Sequence, residues 1–524
     1  MKRRDFLRLT PAASLALMIN GLPISAFADH PLLRMLAKQT QVNGRAIVLI
    51  QLNGGNDGLN MVIPIDQYSA LSNARSNILI PQSQVLSMSG TLNTGLHPSM
   101  TGIRDMFNNG MVNIIQGAGY PNPNFSHFRA TDIWLTGSDS SQYLDTGWLG
   151  RYLDYEYPNY PTGYPNATNP DPLAIQIGTG VSTVVQGPNV SMGMAISDVN
   201  SFYNIVNSTV DPAPSTPAGH ELTFIRYIAQ QTQQYTTVLQ NAAASAQNLS
   251  SLYPSNNSLS DQLKIVARLV AGGLQTPVYV VTMGGFDTHS GQVDTSDHTI
   301  GTHANLLKQL SEAIYAFYDD LQLLNCANRV AAMTFSEFGR RIKSNASGGT
   351  DHGTAEPVMV FSPYVNPGFI GSNPVIPSNA GVNDNLAMQN DYRGIYAAIL
   401  ADWFQISPTV MNNVLLQNFP ILPVFSAATA VNEDSVTAGD DMLGQNYPNP
   451  FTKSTTFKFS TQGGVVSIQL FDAQGRLIRT VLEQNYSRGS HEITVNREGM
   501  PAGNYFYRIT SGKDQSTKKM IVMD

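Results

Sequence analysis

Apolar runs alternate with segments of helical spacing through the middle of the chain. Residues 46–52, Ala-Ile-Val-Leu-Ile-Gln-Leu, form a continuous apolar run, as expected of a strand buried on both faces. Similar runs predict strands at 111–116, 173–177, 277–283, 329–335 and 358–361. Helical spacing predicts helices at 97–109, 126–135, 220–252, 259–271, 301–324 and 392–404. Strands separated by helices favour an α/β fold with a doubly wound, mainly parallel sheet.

A different pattern begins near residue 445. Short stretches alternate polar and apolar residues and are separated by glycine or proline, which predicts a small all-β sandwich. Prolines, small residues and then acidic residues precede it, as is typical of a linker. We therefore predict an α/β domain over 29–425, a linker over 426–444 and a β-sandwich over 445–524.

The N-terminal segment 1–28 predicts an export signal. Lys2, Arg3 and Arg4 precede a short apolar stretch, and Ala26-Phe-Ala28 has the small-x-small form of a cleavage sequence. The arginine pair resembles a twin-arginine (Tat) signal, which implies passage through the Tat machinery. The alternative is a basic N-terminal helix.

Composition narrows the classes of function. The net charge of −7 gives no basic footprint for nucleic acid. No apolar run approaches the roughly 18 residues of a transmembrane segment. Charged residues make up 13% of the chain, against about 25% in an average domain. The single cysteine, Cys326, excludes an intramolecular disulfide, so stability must come from packing, loops or bound metal.

The tail resembles the C-terminal sorting domain of the Bacteroidetes type IX secretion system. The matching motifs are 446–451 (Asn-Tyr-Pro-Asn-Pro-Phe), 470–476 (Leu-Phe-Asp-Ala-Gln-Gly-Arg), 500–505 (Met-Pro-Ala-Gly-Asn-Tyr) and 519–522 (Lys-Met-Ile-Val). The resemblance implies the type IX export machinery as a partner, and secretion or attachment at the outer surface. An ordinary adhesive or carbohydrate-binding sandwich is the alternative.

Candidate metal ligands stand next to the predicted strands. Most lie just past the carboxyl end of a strand, and two lie in a glycine-rich loop before the strand at 358–361. Open α/β sheets place their sites outside the carboxyl ends of the strands. Carboxylates and imidazoles that converge there bind divalent ions such as zinc, manganese or calcium. The candidates are Asp57, Asp287, His289, Glu337, Asp351 and His352.

These residues also have structural alternatives. Asp57 lies in a turn sequence that favours aspartate for its local hydrogen bonding. Asp287 is a possible cap of a short turn, and Glu337 is a possible ion-pair partner of the nearby Arg340 and Arg341. We interpret His303 as a surface or capping residue.

Residues 46–404 resemble the exported bacterial family catalogued as domain of unknown function 1501. The motifs are 52–58 (Leu-Asn-Gly-Gly-Asn-Asp-Gly), 126–134 (Ser-His-Phe-Arg-Ala-Thr-Asp-Ile-Trp), 285–289 (Gly-Phe-Asp-Thr-His), 336–340 (Ser-Glu-Phe-Gly-Arg) and 349–353 (Gly-Thr-Asp-His-Gly). That family is grouped with the alkaline phosphatase/sulfatase superfamily. The resemblance implies a two-metal site and an anionic phosphate or sulfate ester as substrate. It implies two ligand sets: Asp287, His289 and His352 around one ion, and Asp57, Glu337 and Asp351 around the other.

The nucleophile is less clear than the metal ligands. Ser126 stands at a predicted helix N-terminus, where phosphatases of the superfamily carry theirs, and the helix dipole and Arg129 would hold an anionic ester. Ser126 is equally an N-cap, with His127 as a ligand or acid. Cys326 lacks the motif of a sulfatase nucleophile and is better interpreted as a core thiol. Two functions stay open: a secreted metal-dependent ester hydrolase, and a non-catalytic, metal-stabilised surface protein.

Overall fold

The computed structural model describes residues 44–197, 235–426 and most of 446–523, with two short antiparallel strands at Met18–Ile19 and Leu22–Pro23. The rest of the predicted export signal and nearly all of the predicted linker lie outside the described residues. The chain divides into two compact units, Met1–Thr429 and Ala430–Asp524.

A nine-stranded sheet forms the centre of the first unit. Its strands are β1 (Ala46–Leu52), β2 (Val112–Gly119), β3 (Ala174–Ile177), β4 (Met194–Ile196), β5 (Val278–Met283), β6 (Val330–Phe335), β7 (Glu356–Phe361), β8 (Gly368–Ile370) and β9 (Asn390–Asp391). The spatial order is β8-β2-β7-β6-β1-β5-β3-β4, with β9 also paired to β2. Only β7 runs antiparallel to its neighbours in this sheet. The predicted mainly parallel α/β sheet is confirmed.

Helices cover both faces of the sheet, so strand β1 is buried on both sides. Val48 and Ile50 face one apolar cluster, while Ile47 and Leu49 face the other. Besides the helical residues 235–245, the described part of the first unit contains helices α1 (Gly58–Met61), α2 (Tyr68–Arg75), α3 (Thr101–Asn108), α4 (His127–Thr136), α5 (Trp148–Glu156), α6 (Ser258–Ala271), α7 (Thr302–Leu323), α8 (Arg393–Ala398) and α9 (Pro408–Leu415). The first face packs α3, α6 and α7, and the second packs α4, α5, α8 and α9.

The reversed direction of β7 decides which loops meet. Strands β1, β5 and β6 are parallel, so their carboxyl ends lie at one edge of the sheet. Since β7 is antiparallel to β6, its amino end lies at that same edge. Strand β2 is antiparallel to β7, so its carboxyl end lies there as well. Five connections therefore reach one edge, although one of them precedes its strand.

Several local predictions were wrong. The predicted helix 220–252 is helical at 235–245 within its described part, and residues from 246 onward form a loop. That loop is held by Asp320, whose carboxylate accepts hydrogen bonds from the backbone N–H groups of Leu249 and Ser250 at 2.7 and 3.0 Å. The glycine-rich loop predicted around Asp351 forms a short strand, Thr350–His352, which pairs with Arg340–Ser344.

Further elements were not predicted. Helix α5 is one of them, and a small antiparallel sheet of Val62–Pro64, Leu86–Ser87 and Thr94–Leu96 is another. Helix α8 continues beyond Ala398 as a π-helical segment, Ile399–Trp403. No helix of the described residues is long and apolar enough to cross a membrane.

The second unit is an antiparallel β structure, as predicted. Its strands are Ser454–Thr461, Gly464–Phe471, Leu477–Tyr486, Gly489–Asn496, Gly503–Ser511 and Asp514–Val522. Two of them form one sheet and four form another. Alternate residues such as Val466, Ile468 and Leu470 are buried, and Phe451 from the first sorting-domain motif joins the same core. The period-2 pattern of the sequence thus places one face of each strand in the core.

Candidate metal centre

The site is built from the connections that meet at the shared edge of the sheet. His127 begins α4, downstream of β2. Asp287 and His289 follow β5, and Glu337 follows β6. His352 ends the short strand that precedes β7. The predicted candidates Asp287, His289, Glu337 and His352 therefore lie at one edge of the sheet, together with His127.

Imidazole and carboxylate atoms converge at this edge. His127, Asp287 and His352 each offer one ligand atom, and these atoms all lie within 4.8 Å of one another. Asp287 Oδ2 lies 3.6 Å from His127 Nε2, and Asp287 Oδ1 lies 3.5 Å from His352 Nε2. His289 Nε2 lies 3.2 Å from Asp287 Oδ1 and 2.9 Å from His352 Nε2. In the part of the chain that the structure describes, His127, Asp287 and His352 are the one such group of three ligands.

The second nitrogen of each imidazole is held by an oxygen. These partners only accept hydrogen bonds, so in the neutral rings Nδ1 carries the proton and the lone pair of Nε2 faces the shared point. A metal-ligating histidine almost always has such a partner on its other nitrogen. The three pairs are His127 Nδ1 with Glu337 Oε1 at 2.7 Å, His289 Nδ1 with Asp351 Oδ1 at 3.2 Å, and His352 Nδ1 with the Phe125 carbonyl at 2.7 Å.

The donor set fits a divalent ion. Two imidazole lone pairs that face each other at 2.9 Å, as those of His289 and His352 do, repel unless a cation lies between them. Zinc–nitrogen distances of about 2.0–2.1 Å in a tetrahedron place neighbouring ligands about 3.3 Å apart. Four of the separations, from 2.9 to 3.6 Å, bracket that value, and the ligand atoms of His127, Asp287 and His352 all lie within 4.8 Å of one another.

Electrostatics keep the donors in the forms that bind metal. Partial burial alone would raise the pKa of Asp287, but the hydrogen bond and charge of Arg340 outweigh it and lower that pKa. Arg340 Nη2 donates to Asp287 Oδ1 at 2.6 Å. Burial lowers the pKa of His352, which favours its neutral, ligating form. The Asp287 side chain is 48% exposed and that of His289 43%, so solvent and small molecules reach the site.

Asp57 does not join this group. Its carboxylate is fully buried and accepts two hydrogen bonds from Arg75 Nη1, at 2.9 and 2.8 Å, and one from Gln292 at 2.6 Å. Burial alone would raise the pKa of Asp57, but the charge of Arg75, the effect of His303 and the hydrogen bonds from Arg75 and Gln292 together outweigh it and lower that pKa. The sequence could not reveal this ion pair, because Arg75 reaches Asp57 only when α2 packs against the loop after β1.

The second predicted ligand set is not brought together. Glu337 accepts hydrogen bonds from His127 and from the Gly54 backbone N–H, at 2.9 Å to Oε1 and 3.1 Å to Oε2. Asp351 Oδ1 accepts from Asn345 at 3.1 Å as well as from His289. Both carboxylates thus lie behind an imidazole, where they orient it. The alternative of an ion pair between Glu337 and Arg340 or Arg341 is also not observed, since Arg340 pairs with Asp287 and Arg341 donates to the carbonyl oxygens of His352 and Val382.

Ser126 is accessible to a substrate, whereas Arg129 is not. Ser126 is exposed at the N-cap of α4, and its side chain makes no capping hydrogen bond. Arg129 is buried, pairs with Asp132 and donates to the carbonyl oxygens of Asp139 and Ser140 at 3.2 Å. Its guanidinium is therefore committed to the loop after α4, and it does not hold an anion as predicted.

Two supporting residues were missed by the sequence analysis. The buried Phe338 ring packs against the imidazoles of His127 and His352, with ring centroids 4.9 and 4.4 Å away. Gly54 adopts φ +126°, and a Cβ there would lie 2.3 Å from the Asp287 backbone nitrogen. Asp57 was the residue of the 52–58 motif predicted to act at the site, but Gly54 is the residue that lets the backbone approach Asp287 and Glu337.

Each of the two units matches a known protein family. Residues 445–523 match the family described as "Secretion system C-terminal sorting domain". The prediction for the tail is therefore confirmed, and the protein is secreted or attached to the outer surface by the type IX system. No curated protein matches the chain.

Solved structures that are similar to the chain share little sequence with it. One is a sulfatase from Pseudoalteromonas sp., with 11% identity, coverage of 90% of this chain and 88% of that chain, and a TM-score of 0.31. Another is a protein in the alkaline phosphatase superfamily from Vibrio parahaemolyticus, with 10% identity, coverage of 82% and 77%, and a TM-score of 0.32. A third is alkaline phosphatase from the Antarctic bacterium TAB5, with 10% identity, coverage of 61% and 92%, and a TM-score of 0.23.

The larger unit carries the family assignment. Residues 115–383, just over half of the chain, match the family described as "Protein of unknown function (DUF1501)". This range includes His127, Asp287, His289 and His352, whose side chains converge at the sheet edge. The chain therefore belongs to the DUF1501 family.

Proposed function

We propose that this protein is an exported, metal-dependent hydrolase of phosphate or related sulfate esters. The observation that carries the proposal is the convergence of three imidazole nitrogens and the Asp287 carboxylate at a solvent-exposed edge of the sheet. His127, His289, His352 and Asp287 would hold one divalent ion. Imidazole ligands favour zinc or a similar transition metal over calcium, which prefers oxygen ligands.

The type of ligand favours a catalytic role. Structural zinc sites in proteins are usually rich in cysteine, whereas catalytic sites use histidine and carboxylate and keep one position open. The single cysteine, Cys326, is buried in the core next to β6 and takes no part in the site. When bound, the ion supplies Lewis-acid chemistry that polarises an ester oxygen and activates water.

The chain's own residues would orient the ligands and admit the substrate. Glu337 and Asp351 hold two imidazoles in the orientation that directs Nε2 to the ion, and Arg340 fixes the Asp287 carboxylate. Ser126 is exposed one residue before His127, so its hydroxyl is available to attack the ester or to donate a hydrogen bond to it. Retained turnover in Ser126→Ala would assign the attack to water.

The local charge suits an anionic substrate. Arg340 and Arg341 flank the site, and Arg341 Nε donates to the His352 carbonyl at 3.1 Å. With a divalent ion present, these cations outweigh the carboxylates of Asp287, Glu337 and Asp351. A cleft with a positive surplus raises the local concentration of anions.

The test combines metal analysis with turnover. The full chain would be purified, its bound metal measured by elemental analysis, and hydrolysis of an aryl phosphate, a bis-aryl phosphodiester and an aryl sulfate followed with and without zinc. We expect about one ion per chain and turnover of at least one ester. His352→Ala should lose both. The control His298→Ala, which removes an imidazole that bonds to the Leu79 carbonyl instead, should keep both.

One observation favours the second candidate function, a non-catalytic metal-stabilised surface protein. Four protein ligands are enough to close a tetrahedral site and leave no position for substrate. Bound metal without turnover on any of the three esters, together with a lower melting temperature after chelation, would establish that function. A chain that binds no metal would contradict both candidates.

A further inference from the structure

Exposed aromatic side chains are concentrated in one segment of the protein. In the described part of the chain, the three most exposed aromatic residues are Phe128, Tyr143 and Phe125, at 92%, 78% and 40%. All three lie between residues 125 and 143, and this segment also contains His127. A single exposed phenylalanine is ordinary on a protein surface, but three exposed aromatic side chains in one short segment are more typical of a binding surface.

The backbone places two of these aromatic residues next to the candidate metal centre. The Phe125 carbonyl accepts the hydrogen bond of His352 Nδ1 at 2.7 Å. Phe128 follows His127 in the first turn of α4. These contacts fix the backbone of Phe125 and Phe128 beside two of the proposed metal ligands, while their rings stay exposed to solvent.

Tyr143 is brought to the same helix by Arg129. The Arg129 guanidinium lies over the Tyr143 ring at 4.0 Å from its centroid, which is a cation–π contact. The loop carbonyls that Arg129 binds come just before this tyrosine. Arg129, predicted to hold an anionic ester, instead anchors an exposed aromatic ring next to α4.

We infer that Phe125, Phe128 and Tyr143 form an apolar subsite for a ring carried by the substrate. The inference rests on the proposed function, which places an anionic ester at the metal centre. The apolar part of such a molecule must then lie beside the metal ligands. Phe125 and Phe128 flank Ser126 and His127 in the sequence, and Arg129 holds Tyr143 next to the same helix. The ring is either an aromatic group or the apolar face of a pyranose sugar, since both stack on aromatic side chains.

Binding measurements test this without requiring turnover. Isothermal titration of the zinc-loaded full chain would compare phenylphosphonate with methylphosphonate, which carry the same anionic group with and without a ring. A pyranose 6-phosphate would serve as the sugar arm. We expect at least one ring compound to bind more tightly than methylphosphonate, by about three- to tenfold. Phe128→Ala should remove most of that preference and leave methylphosphonate affinity unchanged.

Two further variants sharpen the test. Phe128→Tyr keeps a ring at this position and should retain the preference. Leu92→Ala removes a side chain that is 91% exposed in another loop, and it should have no effect. Equal binding of ring and methyl compounds, a preference that survives Phe128→Ala, or no binding of any of the three compounds would overturn the inference. Ring-dependent binding without hydrolysis of any ester would keep the subsite and reject the catalytic function.

Discussion

His127 Nδ1 donates a hydrogen bond to Glu337 Oε1 at 2.7 Å, although the two residues are 210 positions apart in the sequence. Glu337 is buried, and its carboxylate is also held by the Gly54 backbone N–H. This carboxylate therefore fixes the rotation of the imidazole and leaves Nε2 directed at the candidate metal centre. Glu337, which was predicted as a metal ligand, thus orients His127, which was predicted as a ligand or an acid.

Replacing Glu337 with alanine should weaken metal binding more than it affects folding. Partners of metal-ligating histidines typically contribute about 10- to 100-fold in affinity. We expect the zinc dissociation constant, measured by competition with a chromogenic chelator, to rise by about that factor. Glu337→Gln keeps an oxygen acceptor for His127 and should recover part of the loss. An unchanged zinc affinity in Glu337→Ala would contradict this role.

Gly54→Ala should distort the site. Gly54 has φ +126°, and an added Cβ would lie 2.3 Å from the Asp287 backbone nitrogen. The strain should lower the free energy of unfolding by about 1–3 kcal/mol, as measured in urea, and should also lower zinc affinity. Gly90→Ala is the matched control, because Gly90 has φ +80° and no atoms near its Cβ position. An equal loss in both variants would mean that backbone conformation alone is responsible.

Asp57→Ala should affect stability rather than metal binding. The substitution leaves the Arg75 charge buried without its carboxylate, which costs about 3–5 kcal/mol in comparable pairs. Asp351→Ala is the opposite case, since Asp351 is half exposed and bonds to His289. We expect a large loss of unfolding free energy and unchanged zinc affinity in the first variant, and the reverse in the second. Loss of zinc from folded Asp57→Ala would restore Asp57 as a ligand.

Stability should fall in mild acid because of His303. Contrary to the sequence interpretation, His303 is buried, and its Nε2 bonds to Asn56 Oδ1 at 3.0 Å. Burial lowers its pKa from 6.5 to about 4. Between pH 6.5 and about 4, His303 is therefore protonated in the unfolded chain but neutral in the folded chain, so the folded state loses stability as the pH falls.

The loss attributable to His303 should be about 2 kcal/mol between pH about 7 and pH about 5. Urea unfolding at both values would measure it, with His303→Gln as the comparison. The variant cannot take up this proton in either state, so its loss over the same interval should be smaller. Identical losses in the two proteins would assign the pH dependence to other groups.

The sheet could be predicted because its signal is local. The apolar run at β1 and the similar runs at β5 and β6 are buried on both faces, and this burial requires the uninterrupted hydrophobic residues that the sequence shows. The loop after residue 245 could not be predicted in the same way. It is held by the Asp320 carboxylate from the distant helix α7, and this long-range contact overrides the local helical pattern.

The site shows the same division. The structure brings together the side chains of Asp287, His289 and His352, which the resemblance had implied as one ligand set, because the connections that carry them reach the same edge of the sheet. Asp57 satisfied the same rule, but its side chain turns to Arg75 instead. The position of a residue next to a strand end predicts which edge of the sheet its backbone reaches. It does not predict the direction of the side chain, and metal binding depends on that direction.

By itself the sequence determined the two units, their strand patterns and the edge at which polar residues gather. These properties follow from hydrophobic periodicity, which acts over a few residues at a time. Only the tertiary structure decided which polar groups face the candidate metal centre and which groups orient them. Three acidic residues near strand ends illustrate this choice. Asp57 pairs with Arg75, whereas Glu337 bonds to the imidazole of His127 and Asp351 to that of His289. Partners of this kind come from distant segments of the chain, so the choice among them is made by packing.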